Sequence, residues 1–325
     1  MKNFLIIQSA LIGDVILATA LVEKLAQTYP DAKIDFLLRK GNEIILANNP
    51  HINRIYIWNK KDKKYRNLFR NIYEIRQIRY DLVVNLQRFA SSGFVTWRAK
   101  AGEKTGYKQN PFSFCYYRKF VFSTENGKHE TERNQELIAH ITDDRPAKPK
   151  IYPSENDFKV LSGLKKPFIT IAPASVWFTK QFPKERWVEF INRFLSKDFT
   201  VYLLGADNDL LLCNEIKNMV EGHTVENLAG KLNLLQSAAL MSQAAMNFVN
   251  DSAPLHLASA MDAPVTAIFC STVPAFGFGP LSANSKVAET HKNLSCRPCG
   301  LHGKKVCPKG HFDCAYGISL KDLLF

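Results

Sequence analysis

No stretch of this 325-residue chain supplies the ~20 consecutive uncharged apolar residues that a membrane span requires. No repeat recurs at a fixed period, and no Gly/Ser, Gln/Asn or Pro-rich tract interrupts the composition, which sets aside solenoids, fibrous chains and disorder. The dinucleotide fingerprint G-x-G-x-x-G is missing. Acidic residues are scarce: 30 Asp/Glu face 43 Lys/Arg, for a formal charge of +13. That excess argues for an anionic partner such as nucleotide phosphate, nucleic acid or an acidic membrane surface. Seven Cys is an odd count with no secretion signal beside it, so reduced thiols or metal ligands are expected rather than a disulfide framework. The apolar opening Phe4-Leu5-Ile6-Ile7 is cut by Gln8, Ser9 and Gly13-Asp14 without an evident cleavage site, and it reads as mature protein.

What is present is an α/β rhythm. Phe4 to Ile7 reads as a strand, Ile16 to Tyr29 as a helix and Ala32 to Leu38 as a second strand, and further strands are predicted at Arg54 to Trp58 and Asp81 to Leu86. Between the last two, Tyr65, Leu68, Phe69, Ile72 and Ile75 fall on one helical face of a strongly basic segment, Lys60 to Arg79. That segment suits a solvated face or contact with anionic lipid or glycan. From Lys148 to Pro167 the periodicity weakens, marking a linker. A second series follows: strand Phe168 to Ile171, helix Lys184 to Leu195, strand Thr200 to Leu204, helix Leu234 to Ala245, strand Met246 to Val249, helix Pro254 to Met261 and strand Val265 to Phe269. Two doubly wound domains, 1–155 and 156–325, are expected to face a cleft at the carboxyl ends of their strands, where open α/β sheets bind ligands.

Three of the loops at such strand ends carry chemistry. Gly13 permits a tight turn and puts Asp14 at a helix N-terminus, where a carboxylate is stabilised and can serve as general base or simply cap the helix. The loop Ala172 to Pro183 carries Ser175, Thr179 and Lys180, two hydroxyls and a point charge suited to a diphosphate, with a solvated lysine as the bland alternative. In Asn250-Asp251-Ser252-Ala253-Pro254-Leu255-His256, Asp251 or Ser252 caps a helix with Pro254 in its first turn, so that the Ser252 and Ala253 amides can meet phosphate. The tail gathers Cys296, Cys299, Cys307 and Cys314, candidate thiolate ligands for one tetrahedral structural zinc or thiols that pack without metal.

In this order the segments resemble glycosyltransferase family 9, the ADP-heptose:lipopolysaccharide heptosyltransferases, over nearly the whole chain. Ser9 to Ile16 is similar to the family's first motif, Pro173 to Trp187 to its phosphate segment, Asn227 to Leu232 to the stretch lining the nucleobase, and Asn250 to Ala258 to its most specific signature. The Cys tail resembles one in the second-heptose branch. The resemblance implies a GT-B fold of two Rossmann-like domains and an inverting, metal-independent transfer from a nucleotide-sugar donor to an anionic glycolipid. Asp14 would be the base. Ser175, Thr179, Lys180 and the Ser252-Ala253 amides would hold the departing nucleotide, Asp251 the donor sugar, and Asp209 the ribose. Leu232 and His256 would complete the donor pocket. A cytoplasmic enzyme with transient contact to the inner leaflet is implied, with no cofactor required for catalysis and no nucleic acid partner. Ala253 where glycine is usual, and the bulky Val176-Trp177-Phe178, leave the donor open to another sugar or nucleotide. Two other readings remain: an epimerase or hydrolase of the same fold, and a zinc-stabilised nucleic-acid-binding protein.

Overall fold

The computed structural model describes residues 1–324. The chain divides into two compact units, Met1–Tyr152 and Pro153–Phe325. The first runs β1 (Asn3–Ile7), α1 (Ile12–Thr28), β2 (Lys33–Arg39), β3 (Ile52–Trp58), α2 (Lys64–Ile75), β4 (Arg79–Asn85), α3 (Ala90–Arg98), β5 (Lys100–Tyr107), β6 (Arg118–Phe120) and α4 (Glu130–Glu136). The second runs α5 (Glu155–Lys159), β7 (Phe168–Ala172), α6 (Lys184–Phe194), β8 (Thr200–Leu203), α7 (Leu210–Met219) and β9 (Val225–Asn227). It continues with α8 (Leu234–Gln243), β10 (Asn247–Asn250), α9 (Ala253–Ala260), β11 (Val265–Phe269), β12 (Ser285–Glu289) and α10 (Asp313–Tyr316).

Each unit is one six-stranded sheet, ordered β3-β2-β1-β4-β5-β6 in the first and β12-β11-β10-β7-β8-β9 in the second, with every pairing parallel. These are the same doubly wound order. In each, the chain leaves the central strand to one side and returns on the other, so the switch points lie between β1 and β4 and between β7 and β10. Parallel strands covered on both faces must be apolar throughout, and Phe4 to Ile7 and Phe168 to Ala172 are buried without interruption.

Helix α1 is buried all along Val15 to Leu25, and it therefore shows no polar stripe. Helix α2 splits its apolar residues. Leu68, Ile72 and Ile75 pack inward, whereas Tyr65, Phe69 and Tyr73 stand exposed, so the single apolar face expected of this segment is in fact two. The stretch expected as a linker is ordered too. The Lys150 N–H donates to Thr19 Oγ1 (2.9 Å), Tyr152 Oη donates to Glu23 (2.9 Å), and α5 forms just beyond, capped by Ser154. No helix among the described residues is long and apolar enough to cross a membrane.

In the second unit the core gathers around Trp187, Phe190 and Phe248, and the segment Phe312 to Leu323 joins it. The Phe190 and Phe248 rings meet edge to face, 4.9 Å apart. Phe190→Ala would leave a void among fully buried neighbours and is expected to lower the unfolding free energy of this unit by about 3–5 kcal/mol. Urea denaturation followed by tryptophan fluorescence would measure it.

Candidate active site

In the first unit, Asp14 occupies the third position of α1, directly after the carboxyl end of β1. One carboxylate oxygen accepts the Leu11 N–H (3.2 Å), so the side chain caps its own helix and stays partly exposed. Its loop is tied across the switch point. The Gln87 amide, just after β4, donates to Gln8 Oε1, which also accepts the Ala10 N–H (3.2 Å). Lys60, beyond β3, donates to the Ser9 carbonyl (2.6 Å) and to Ser9 Oγ (3.2 Å) and lies over the Trp58 ring. Burial first, then Arg39 and Lys64, bring the Lys60 ammonium down to about 8.

Helix α4 adds two groups that sequence reasoning missed. Glu130 and Arg133 are both buried, and the guanidinium donates to Glu130 Oε2 from Nε (3.0 Å) and Nη2 (2.9 Å). Arg133 also donates to the Lys128 carbonyl and faces the Phe122 ring. Burial raises the Glu130 carboxyl most; Arg133 opposes and the negative charge of Asp14 adds to the rise, which leaves it at about 7. Asp14 and Glu130 thus feel one another's charge. In the sequence, a Glu and an Arg three residues apart look like an ordinary surface helix pair. Only the packing of α4 against α1 removes them from water.

In the second unit, the three loops that follow β7, β10 and β11 converge. Lys180 Nζ lies 2.7 Å from Asp251 Oδ2, and Thr272 Oγ1 donates to the same oxygen (2.6 Å). Asp251 is buried, and Lys180 keeps 14% of its side-chain surface open. Asn250 fixes this geometry. It is fully buried, donates to the Pro173 carbonyl (2.8 Å) and accepts the Phe182 N–H (3.0 Å), which holds the Lys180 loop across the switch point between β7 and β10.

Ser252 is the N-cap residue of α9, but it makes no side-chain cap; its hydroxyl reaches back to the Asn250 carbonyl (3.4 Å). Asp251 does not cap either, because its carboxylate is turned to Lys180 and Thr272. Ala253 opens the helix, ahead of its first intrahelical bond, so its amide belongs to the positive end. His256 lies one turn along, buried with its ring against Phe278. Thr179 is buried as well: its hydroxyl accepts from Ser271 Oγ (3.0 Å) and from the Lys304 N–H (2.8 Å). Ser175 stays half-buried in the loop, where its carbonyl accepts the Gln181 side-chain amide (2.6 Å).

Asp209 and Leu232 stand on the other flank of β7, in the loops after β8 and β9. Asp209 accepts the Ala206 N–H (2.8 Å) and so closes its own turn. The Gly230 N–H donates to the Gly205 carbonyl (3.0 Å), joining the two loops.

The Cys-bearing tail braces the Lys180 loop from outside. Gly303 has φ +77° and comes so close to Thr179 and Lys180 that a Cβ there would stand 3.0 Å from both. Arg297, also missed in the sequence, donates to the carbonyls of Cys270 (2.7 Å), Thr272 (2.8 Å) and Phe269 (3.1 Å) and pairs with Glu289 (2.6 Å). Cys296, Cys299, Cys307 and Cys314 are all reduced and line one cavity of about 410 Å³, together with Thr179 and Ser271. Burial, and next the neighbouring Cys299 and Cys307, push the Cys314 thiol up to about 11. Among the described residues no three His, Cys, Asp or Glu side chains are grouped so as to hold a metal ion.

Comparison with known proteins follows the same lines. The sequence profile of Glycosyltransferase family 9 (heptosyltransferase) matches residues 68–308, a stretch that begins after Asp14. Lipopolysaccharide heptosyltransferase 3 of Escherichia coli is 30% identical over 278 residues, covering 80% of this chain and 81% of that protein. Among solved structures, a glycosyl transferase family 9 protein from Veillonella parvula aligns with a TM-score of 0.78 at 22% identity, over 88% of this chain and 85% of that one. The ADP-heptose LPS heptosyltransferase II of Escherichia coli aligns at 0.77 with 22% identity, over 92% and 96%. The two-unit fold is therefore the GT-B fold of these structures.

Glu130 carries a test of this geometry. A carboxyl raised from 4.5 to about 7 in the folded chain keeps its proton on folding, so its contribution to stability is complete below pH 4.5 and is lost as pH rises through 7. Glu130→Gln, which cannot titrate, is expected to flatten that part of the curve: from pH 5 to 7.5 the melting temperature of the wild type falls relative to the variant. Parallel slopes would place the Glu130 titration elsewhere.

Proposed function

The chain belongs to glycosyltransferase family 9, the heptosyltransferases, and on that premise we propose that it transfers a heptose from ADP-heptose to the inner core of a lipopolysaccharide or a related glycolipid, with inversion at the anomeric carbon. The observation that carries this reading is the Lys180–Asp251 pair at the switch point of the second sheet, beside the N-terminus of α9. A diphosphate needs fixed positive charge and free amides, and a sugar needs a buried acceptor for its hydroxyls; this corner of the unit has all three.

On this reading, the Asp14 carboxylate removes the proton from the acceptor hydroxyl as its oxygen attacks the anomeric carbon. The bond from that carbon to the diphosphate oxygen breaks in the same displacement, and the electrons leave with ADP. Lys180 and the Ser252 and Ala253 amides stabilise the charge that develops there. Asp251 receives Lys180 and Thr272 on Oδ2, which leaves Oδ1 to take a sugar hydroxyl. The joined loops after β8 and β9, with Asp209 and Leu232, suit the ribose and the base. His256 supports this corner from beneath. Ser175 and Thr179 shape the phosphate loop, Thr179 by clamping it to the tail. A single displacement requires the acceptor oxygen and the anomeric carbon to come into line.

The acceptor is read as an anionic glycolipid, and the cations around the Asp14 loop, Lys60 foremost, suit its phosphate groups. A nucleotide-sugar donor places the reaction in the cytoplasm, at the inner face of the membrane, and seven free thiols agree with a reducing compartment. No group in this scheme calls for a metal. A structural zinc held by the four tail cysteines would require those side chains to draw together.

Thermal stabilisation by ADP, UDP, GDP and CMP in parallel tests the donor. ADP is expected to add about 2.7 kcal/mol at 100 times its dissociation constant, and UDP and GDP much less. A preference for UDP or GDP would change the sugar donor but keep the reaction class. Asp14→Asn is expected to cut transfer by about 10²–10⁴-fold while leaving the ADP shift intact. Full activity in that variant would end the role given to Asp14.

A further inference from the structure

The first unit carries a surface that the transfer reaction does not use. Phe69 on α2, Phe94 and Trp97 on α3, and Phe112 and Phe114 beyond β5 form a continuous chain of rings. Their centroids are 6.1 Å apart from Phe69 to Phe94, 5.8 Å from Phe94 to Trp97 and to Phe112, and 5.8 Å from Phe112 to Phe114. Gly93 makes this possible, because α3 sits so close to the turn at Asn110 that a Cβ at Gly93 would overlap the Asn110 side chain and press on Phe112. The chain is not a core. Phe69 is 57% exposed, Trp97 41% and Phe114 65%, and Tyr65 and Tyr73, one turn to either side of Phe69 on α2, are exposed as well. Contiguous exposed aromatics of this extent mark a contact surface.

The charges around the rings are one-sided. Residues 51–100 hold 12 Lys/Arg against 3 Asp/Glu. Arg66 and Arg70 lie on the same side of α2 as Phe69, Arg98 stands over the Trp97 ring (5.5 Å), Arg76 donates to the Arg98 carbonyl (3.1 Å), and Lys104 to the Trp97 carbonyl (3.0 Å). The anion among them, Glu74, lies 3.8 Å from Arg70. Indole and phenyl rings surrounded by guanidinium groups match the boundary between acyl chains and anionic headgroups, where rings enter and cations meet phosphate. The surface also adjoins the Asp14 loop: Asn110 donates to the carbonyls of both Gln87, which is bonded to Gln8, and Phe89, which starts α3.

We infer that the aromatic and cationic face formed by α2, α3 and the segment Phe112 to Phe114 docks the first unit on an anionic lipid bilayer, next to the end of the sheet that receives the acceptor. This deepens the glycolipid reading and rests on it for its purpose, but bilayer binding is measured without donor or acceptor. Co-sedimentation with vesicles of equimolar phosphatidylglycerol and phosphatidylcholine is expected to bring down the full chain at low salt. High salt weakens binding, and vesicles of phosphatidylcholine alone bring down little. Tyr65→Ser with Phe69→Ser, both at exposed positions, and Arg66→Ser with Arg70→Ser, are each expected to reduce partitioning on the order of tenfold. Both variants should keep the wild-type melting temperature, the ADP shift and transfer to a deacylated, water-soluble acceptor. Equal wild-type binding to the two vesicle types, or variants that sediment like the wild type, would overturn the inference. So would a concentration-dependent dimer that these substitutions dissolve in the absence of lipid binding, since the face would then belong to a second copy. Loss of the donor reading shows separately, as a missing ADP shift with vesicle binding intact.

Discussion

Both halves of this chain are governed by one constraint, the right-handed crossover between parallel strands. A chain that winds outward from β1 through α1 to β2 and β3 can fill the other side of the sheet only by returning to β4 beside β1. The loops after β1 and β4 then run to opposite faces, and a crevice opens between them that no helix covers. The same happens at β7 and β10. Asp14, Gln8 and Gln87 sit at the first crevice, and Lys180, Asn250 and Asp251 at the second, so the candidate site residues stand where the winding leaves backbone uncovered. Nothing in the polar side chains themselves would have gathered them there.

This explains which parts were legible in the sequence. The central strands of the second series and the helices α6, α8 and α9 could be read, because β7, β10 and β11 are fully buried strands with continuous apolar runs, and each ends in a loop of small or charged residues; α7 and β9 were not anticipated. The polar strands could not be read. β5 (Lys-Ala-Gly-Glu-Lys-Thr-Gly-Tyr) and the edge strands β6 (Arg-Lys-Phe) and β12 (Ser-Lys-Val-Ala-Glu) are short or polar and half exposed, and they are strands because a neighbour offers free backbone groups. Lys180, Asp251, Ser252 and Ala253 were singled out as candidates from their place after strand ends and the order of the motifs. Thr272, Arg297 and Glu130 were not, since each owes its place to a partner far away in sequence: Asp251, the carbonyls after β11, and the packing of α4 on α1.

The surplus of positive charge divides into two kinds with different physics. Arg133 is buried and Lys60 partly so, and both cost desolvation. Arg133 is offset by its bonds to Glu130, while Lys60, given only the Ser9 oxygens and a ring face, has its ammonium form weakened. Arg66, Arg70 and Arg98 are in water, where a single charge costs little and is screened, and act only as a field added to that of their neighbours. A basic isoelectric point by itself joins these two populations; their burial tells them apart.

The Lys180–Asp251 pair shows how much a short contact can decide. A lysine paired with a carboxylate brings almost no net charge to a diphosphate, so on the transferase reading Lys180 alone cannot offset the negative charge that builds on departing ADP. The remainder must come from the positive end of α9, about half a unit of charge carried by amides that need no counter-ion. Asp251 repels phosphate in turn, and with Oδ2 occupied by Lys180 and Thr272 its other oxygen suits a donor such as a sugar hydroxyl. On the same reading one ion pair sorts the two ends of the proposed donor, with the nucleotide on the lysine side and the sugar on the aspartate side. Asn250, bonded to both the Pro173 carbonyl and the Phe182 N–H, holds the two loops at a fixed distance and so, on the transferase proposal, would set where the bond breaks.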